Sequence, residues 1–120
     1  MTKLRVATLG LAAIVVLAWA VPAFAHQTGT TVTVEAGKPS TFSFTLSTKT
    51  VKHGTVTFKV TNDGVGLTHD FSINGKKTPV LSPGKSATLV VTFKKAGSYT
   101  YECTVPGHAA AGMKGVLKVT

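Results

Sequence analysis

The residues with the most chemical content lie together near the C-terminus. The segment Tyr101-Glu102-Cys103-Thr104-Val105-Pro106-Gly107-His108-Ala109-Ala110-Ala111-Gly112-Met113-Lys114-Gly115 carries a thiol, an imidazole and a thioether at C-x4-H-x4-M spacing. The intervening loop is rich in Pro, Gly and Ala, so it can fold back tightly and aim three side chains at one point. Two soft sulfur donors and an intermediate nitrogen donor suit copper in both oxidation states better than magnesium, calcium or manganese. Taken singly, each residue has a plainer reading: Cys103 a buried thiol, Met113 core filler, His108 a loop residue. Their joint spacing favours a metal site. Cys103 is also the only cysteine. No intrachain disulfide is possible, and an unpaired thiol is a buried inert group, an interchain partner or a metal ligand.

A fourth donor must come from elsewhere. His69 follows the Asn62–Thr68 loop and is expected to open a strand running Asp70 to Ile73. In a sandwich of strands, that start can lie beside the end of the Cys103 strand. The competitor is His53, but His53-Gly54 reads as a solvated turn. His69, Cys103 and His108 in a plane, with Met113 as a weaker axial ligand, is the arrangement of a copper electron-transfer site. All four positions would then be filled by protein, which leaves no open position for substrate. Zinc is the rival metal, although two His, one Cys and a poor fourth donor make an unusual structural zinc set.

The elements that must position these residues are strands. Apolar residues recur with period two: Val32 and Val34; Phe42, Phe44 and Leu46; Val56, Phe58 and Val60; Phe71 and Ile73; Ala87, Leu89, Val91 and Phe93; Tyr99, Tyr101 and Cys103; Leu117 and Val119. Turn signals separate the runs, among them Gly37-Lys38-Pro39, His53-Gly54, Asn62-Asp63-Gly64, Asn74-Gly75 and Ser82-Pro83-Gly84. Asn74-Gly75 suits a tight hairpin. No stretch shows a helical period. Seven or eight short strands, each with one apolar face, bury those faces by packing as two sheets, which predicts an all-β sandwich. Tyr99 and Tyr101 read as core.

The first 25 residues stand apart. Lys3 and Arg5 precede a nearly unbroken apolar run from Val6 to Ala20, then Pro22 and an Ala23-Phe24-Ala25 cleavage pattern. This reads as a signal peptide over 1–25, with an uncleaved anchor as the rival. The run is short for a full membrane span. The expected domain is 26–120, exported to a periplasm or the cell exterior, and not inserted in a membrane once cleaved. It carries eleven lysines against four acids, a formal +7, and no arginine. With no aromatic-basic stripe, nucleic acid is not the expected partner. Scattered lysines instead suit steering toward an acidic redox protein. The domain is expected to be a monomer. His26 would become the N-terminal residue after cleavage. An α-amine beside an imidazole can chelate copper as a histidine brace, but a domain of this size with few aromatics is a poor match for the enzymes that use one.

His69 upstream, followed by Cys103, His108 and Met113, resembles the cupredoxin (type 1 blue copper) family over essentially all of 26–120. The ligand-loop spacing is closer to auracyanin- and rusticyanin-like members than to plastocyanin-like ones. The resemblance implies a Greek-key β-sandwich and one copper ion cycling between Cu(I) and Cu(II). It implies His69 and His108 as nitrogen ligands, Cys103 as the thiolate and Met113 as the axial sulfur. It further implies that Asp70, next to the first ligand, ties that loop to Thr104, next to the second. Asp stands there in place of the commoner Asn. The implied role is a one-electron carrier, not an enzyme, with His108 as the electron port inside an apolar patch of Val105, Pro106 and Ala109–Ala111. Copper delivery or storage without redox turnover is the alternative.

Overall fold

The structure is a computed structural model that describes residues 10, 13–20 and 29–120. The Ala23-Phe24-Ala25 pattern, Pro22 and His26 lie outside the described residues. Residues 13–20 have no regular secondary structure, and Ile14 to Leu17 and Trp19 are exposed rather than part of the core. No helix among the described residues is long and apolar enough to cross a membrane.

Among the described residues there are nine strands: β1 (Thr30–Ala36), β2 (Phe44–Leu46), β3 (Thr50–Val51), β4 (Gly54–Asn62), β5 (Ser72–Ile73), β6 (Lys76–Lys77), β7 (Ser86–Phe93), β8 (Gly97–Glu102) and β9 (Lys114–Val119). They form two sheets, ordered β2-β1-β4-β7 and β3-β9-β8-β5-β6. The β-branched and aromatic residues that fill these strands fit a pleated, half-buried surface. Their period-two pattern turns one face of each sheet inward. In β4, Val56, Phe58, Val60 and Asn62 are fully buried while Thr55 and Lys59 face out.

The buried faces meet in one apolar core built on Phe58, Phe71, Phe93, Tyr101, Ile73 and Leu117. Phe58 and Phe71 lie with ring centroids 5.2 Å apart, and Phe71 stacks on Tyr101 at 5.6 Å. Each such side chain contributes about 1.5–3 kcal/mol by leaving water. Gly115 makes room for this packing. It pairs opposite Tyr101 in the β8–β9 ladder, and a Cβ there would run into the Tyr101 ring and hydroxyl.

Three sequence expectations are corrected. Phe42 does not share a strand face with Phe44 and Leu46, because β2 begins at Phe44 and Phe42 sits in the preceding turn. His69 does not open a strand over Asp70 to Ile73. The strand is only Ser72–Ile73, and His69 is held in an isolated antiparallel bridge to Leu81. The strand count among the described residues is nine because two-residue strands, β3 and β6, are too short for periodicity to register. The Asn74-Gly75 hairpin forms as expected: φ is 50° and 73° at its two central residues, the left-handed pair that joins β5 to β6.

Two strand pairs among the described residues are parallel. β1 runs parallel to β4 with Ala36 opposite Asn62, and β3 runs parallel to β9. Parallel pairing sends the chain out of β1 and β4 at the same edge. The loops after Ala36 and Asn62 therefore lie side by side, joined by Asp63 N–H donating to the Ala36 carbonyl at 2.9 Å. The end of β8 and the start of β9 are paired at Glu102 and Lys114.

Candidate metal centre

His69, Cys103 and His108 converge. Their donor atoms all lie within 4.8 Å of one another. The Nδ1 atoms of His69 and His108 are 3.2 Å apart, and the Cys103 Sγ is 3.5 Å from His108 Nδ1. Donors about 2.0–2.3 Å from a shared metal ion are separated from each other by about 3.3–3.8 Å at tetrahedral angles and by about 3.5–4.0 Å when they surround it in a plane. The residues present therefore fit a single soft metal ion. His69 and Cys103 are 0% and 1% exposed, and His108 is 9% exposed, so the imidazole nearest solvent is His108.

Each side chain is set by its own backbone context. Cys103 follows directly on β8, where the inward alternation of Tyr99 and Tyr101 continues. Met113 directly precedes β9, is fully buried, and clusters with Cys103 and Ala36. Its carbonyl accepts from Cys103 N–H at 3.1 Å, and its N–H donates to the His108 carbonyl at 3.0 Å. The loop between is wound into successive turns, with Gly107 and Gly112 at φ of 84° and 107°. Only glycine adopts such values without strain. His69 exchanges both backbone hydrogen bonds with Leu81, at 2.7 and 3.1 Å.

Asp70 closes the site from the side. Its backbone N–H faces Cys103 Sγ at 3.5 Å. Its buried carboxylate accepts from Thr104 twice, from the backbone N–H through one oxygen and from the hydroxyl through the other. The expected Asp70–Thr104 tie is thus present, and Asp serves because both Thr104 groups donate. Burial lowers the His69 pKa below its ordinary value; neighbouring His108 pushes it down further, while Asp70 opposes. Burial raises the Cys103 thiol, and the Asp70 charge adds to that, against backbone N–H groups of Asp70 and Val105 that favour the thiolate. A metal cation would supply the positive charge that this thiolate otherwise lacks.

The comparisons with known proteins agree with this geometry. Residues 21–120 match the family of copper binding proteins described as plastocyanin/azurin. The chain belongs to the plastocyanin/azurin family of copper-binding proteins. Among solved structures it is similar to reduced auracyanin from Roseiflexus castenholzii, with a TM-score of 0.64 and 23% identity over 77% of this chain and 98% of that one. It is also similar to rusticyanin from Thiobacillus ferrooxidans, with a TM-score of 0.63 and 27% identity over 75% of this chain and 76% of that one. Among curated proteins, Auracyanin-B of Chloroflexus aurantiacus is 46% identical over 43 residues, 36% of this chain and 18% of that protein. The chain spans less than a quarter of the length of this and the next curated relatives it matches. The fold is that of the cupredoxins, and the cofactor of this plastocyanin/azurin-family chain is copper.

His53 is not drawn into the cluster. It lies in the bend between β3 and β4, with its Nδ1 3.0 Å from the Thr120 carbonyl. Two side chains near the centre were not marked by the sequence. Phe42 lies edge-on to the His108 ring, centroids 5.1 Å apart, and is 36% exposed. Alternation assigned it to a strand, whereas Pro39 upstream signalled the turn that carries it. Asn62, read as a turn residue, is fully buried behind His69.

Proposed function

We propose that this protein is an exported one-electron carrier whose copper is held by His69, Cys103, His108 and Met113. The observation that supports it most is the convergence of three buried donors of the right softness within 4.8 Å. Copper bound there would supply reversible exchange between Cu(I) and Cu(II). The chain's own part is to hold four donors in one arrangement, so that little rearranges when the electron moves. Bonds between the ligand residues' backbones, together with the Asp70–Thr104 tie, serve that end. The buried surroundings of Met113 and Cys103 keep water off the sulfur atoms. Auracyanin and rusticyanin have both been solved in reduced form, and an auracyanin is described as a blue copper protein. Those properties fit a carrier better than an enzyme, and the similarity to a Staphylococcus aureus multicopper oxidase covers only 15% of that protein.

His108 is the electron port in this reading. Exposed Pro106, Ala110, Ala111 and the half-covered Phe42 border it with apolar surface. Such a surface suits brief docking, with the lysine excess steering an acidic redox partner at long range. Export rests on the charged, apolar and small-residue succession of residues 1–25.

Loading purified 26–120 domain with Cu(II) tests the assignment. A strong thiolate-to-copper absorption in the orange-red is expected, together with a reversible one-electron wave, and both vanish in Cys103→Ser. A copper-loaded protein that stays colourless under oxidising conditions refutes it. Copper delivery is the second reading. It is favoured by 50% identity over 40 residues to a copper-resistant cuproprotein of Pseudomonas aeruginosa. Rapid copper transfer to an acceptor with no reversible wave would select it.

A further inference from the structure

We infer that Asn62, outside the donor set, is the residue that positions His69, and that it works through the backbone around the imidazole rather than by touching the ring. The inference rests on the reading of His69 as a copper ligand.

Metal-bound histidines are ordinarily oriented by a hydrogen bond from the second ring nitrogen to a carbonyl, carboxylate or water. His69 is fully buried, and its Nε2 has no hydrogen-bond partner among the described residues. The ring is wedged instead. A Cβ on Gly64 would lie 3.1 Å from Nε2, and one on Gly37 would lie 3.3 Å from it. Gly37 and Gly64 are themselves in contact, since a Cβ on Gly37 would come within 2.6 Å of the Gly64 Cα. Two layers of bare backbone therefore lean on the edge of the imidazole that points away from the other donors. The direction of Nδ1 is set by where that backbone lies.

Asn62 fixes where it lies. Its side-chain oxygen accepts from Gly64 N–H at 2.9 Å. Its amide nitrogen donates to the Leu67 carbonyl at 2.9 Å and the Leu81 carbonyl at 2.8 Å. Gly64 and Leu67 lie on the loop that leads into His69, and Leu81 is the bridge partner of His69. One side chain with three satisfied hydrogen bonds thus binds both segments that hold the ligand. Its own backbone is anchored in turn: its N–H donates to the Lys85 carbonyl and its carbonyl accepts from Gly84. An Asn is the only residue of this size that can offer two donors and an acceptor at once.

The test compares Asn62→Asp, which keeps the shape and the acceptor but loses both donors, with the parent domain. Losing an outer partner of a metal ligand typically costs 10–100-fold in metal affinity. The expected result is at least about tenfold faster loss of Cu(I) to a chelator, a shifted visible spectrum, and altered ¹⁵N signals of the His69–His108 pair in the metal-free protein. Phe93→Leu is the control, a core change in β7 opposite Gly54 at the far end of the β4–β7 ladder. It is expected to lower the melting temperature while copper release stays within about twofold. Should Asn62→Asp fail to fold, Asn62→Ser, which retains one donor and one acceptor, carries the same measurement. Gly64→Ala, whose methyl would press on both His69 Nε2 and the Asn62 side-chain oxygen, each at 3.1 Å, is expected to shift the spectrum as well. Folded Asn62 variants with copper release and spectrum unchanged overturn the inference, provided Cys103→Ser still bleaches the protein. If Cys103→Ser stays coloured, the ligand assignment fails instead.

Discussion

Replacing Thr104 by Val removes one hydroxyl and little volume, which makes it a clean probe of the tie across the metal centre. In the parent, that hydroxyl donates to an oxygen of Asp70, a carboxylate that is 1% exposed. Hydrogen bonds to charged groups contribute about 1.5–3 kcal/mol, and a buried acceptor left bare costs a comparable amount. Two features pull the figure toward the lower end. Thr104 itself is exposed, so water can reach part of the vacated position, and its backbone N–H continues to donate to the other carboxylate oxygen. A loss of about 1.5 kcal/mol is expected for the metal-free domain. For a domain of 60–100 residues each kcal/mol shifts the melting temperature by about 4–8 °C, so a fall of roughly 6–12 °C is expected by calorimetry. A double-mutant cycle with Asp70→Asn isolates the pair: the two changes should couple by more than about 0.5 kcal/mol because the groups touch. A Thr104→Val melt within about 2 °C of the parent, or a cycle that adds without coupling, would refute the reasoning.

Stability of the metal-free domain should depend on pH at both ends. His69 takes up a proton less readily folded than unfolded, so stability falls as pH drops below about 6.5. Cys103 releases its proton less readily folded, so stability falls again as pH rises past about 9.0. Melting temperatures across that range should show a plateau between the two; Cys103→Ser should extend it upward. Gly115→Ala should overpack against Tyr101 and cost about 1–3 kcal/mol. Tyr101→Phe in the same background should recover part of the loss, since the phenol oxygen is among the atoms the new methyl meets, and denaturant melts would show it.

The sequence made much of this legible because period-two burial in long strands leaves a strong mark. β1, β4, β7, β8 and β9 fall where Val32, Phe58, Val91, Tyr101 and Leu117 alternate with polar residues. The Cys103–Met113 half of the proposed site was readable because its three residues are close in the chain, and Met113 does pack beside Cys103. His69 was harder. Its place depends on an isolated bridge to Leu81, and no local pattern encodes a pairing between residues twelve apart across a loop. Phe42 was misplaced for the opposite reason: it fits the alternation of Phe44 and Leu46 but belongs to a turn that tertiary contact with His108 stabilises. Asn62 looks like any Asn before Asp-Gly. Only the burial of its side chain distinguishes a structural clasp from a solvated turn residue.

The position of β9 has a kinetic consequence. This strand is interior, lying between β3 and β8, with its β3 partners 68 residues earlier in the chain. Its neighbours cannot close into a sheet until it arrives, and topologies dominated by such distant pairings fold in milliseconds to seconds rather than microseconds. Three of the four proposed donors sit between Cys103 and the start of β9. An incomplete chain that already displays His69 therefore lacks the other proposed donors until the segment Cys103 to Met113 is present and β9 has paired.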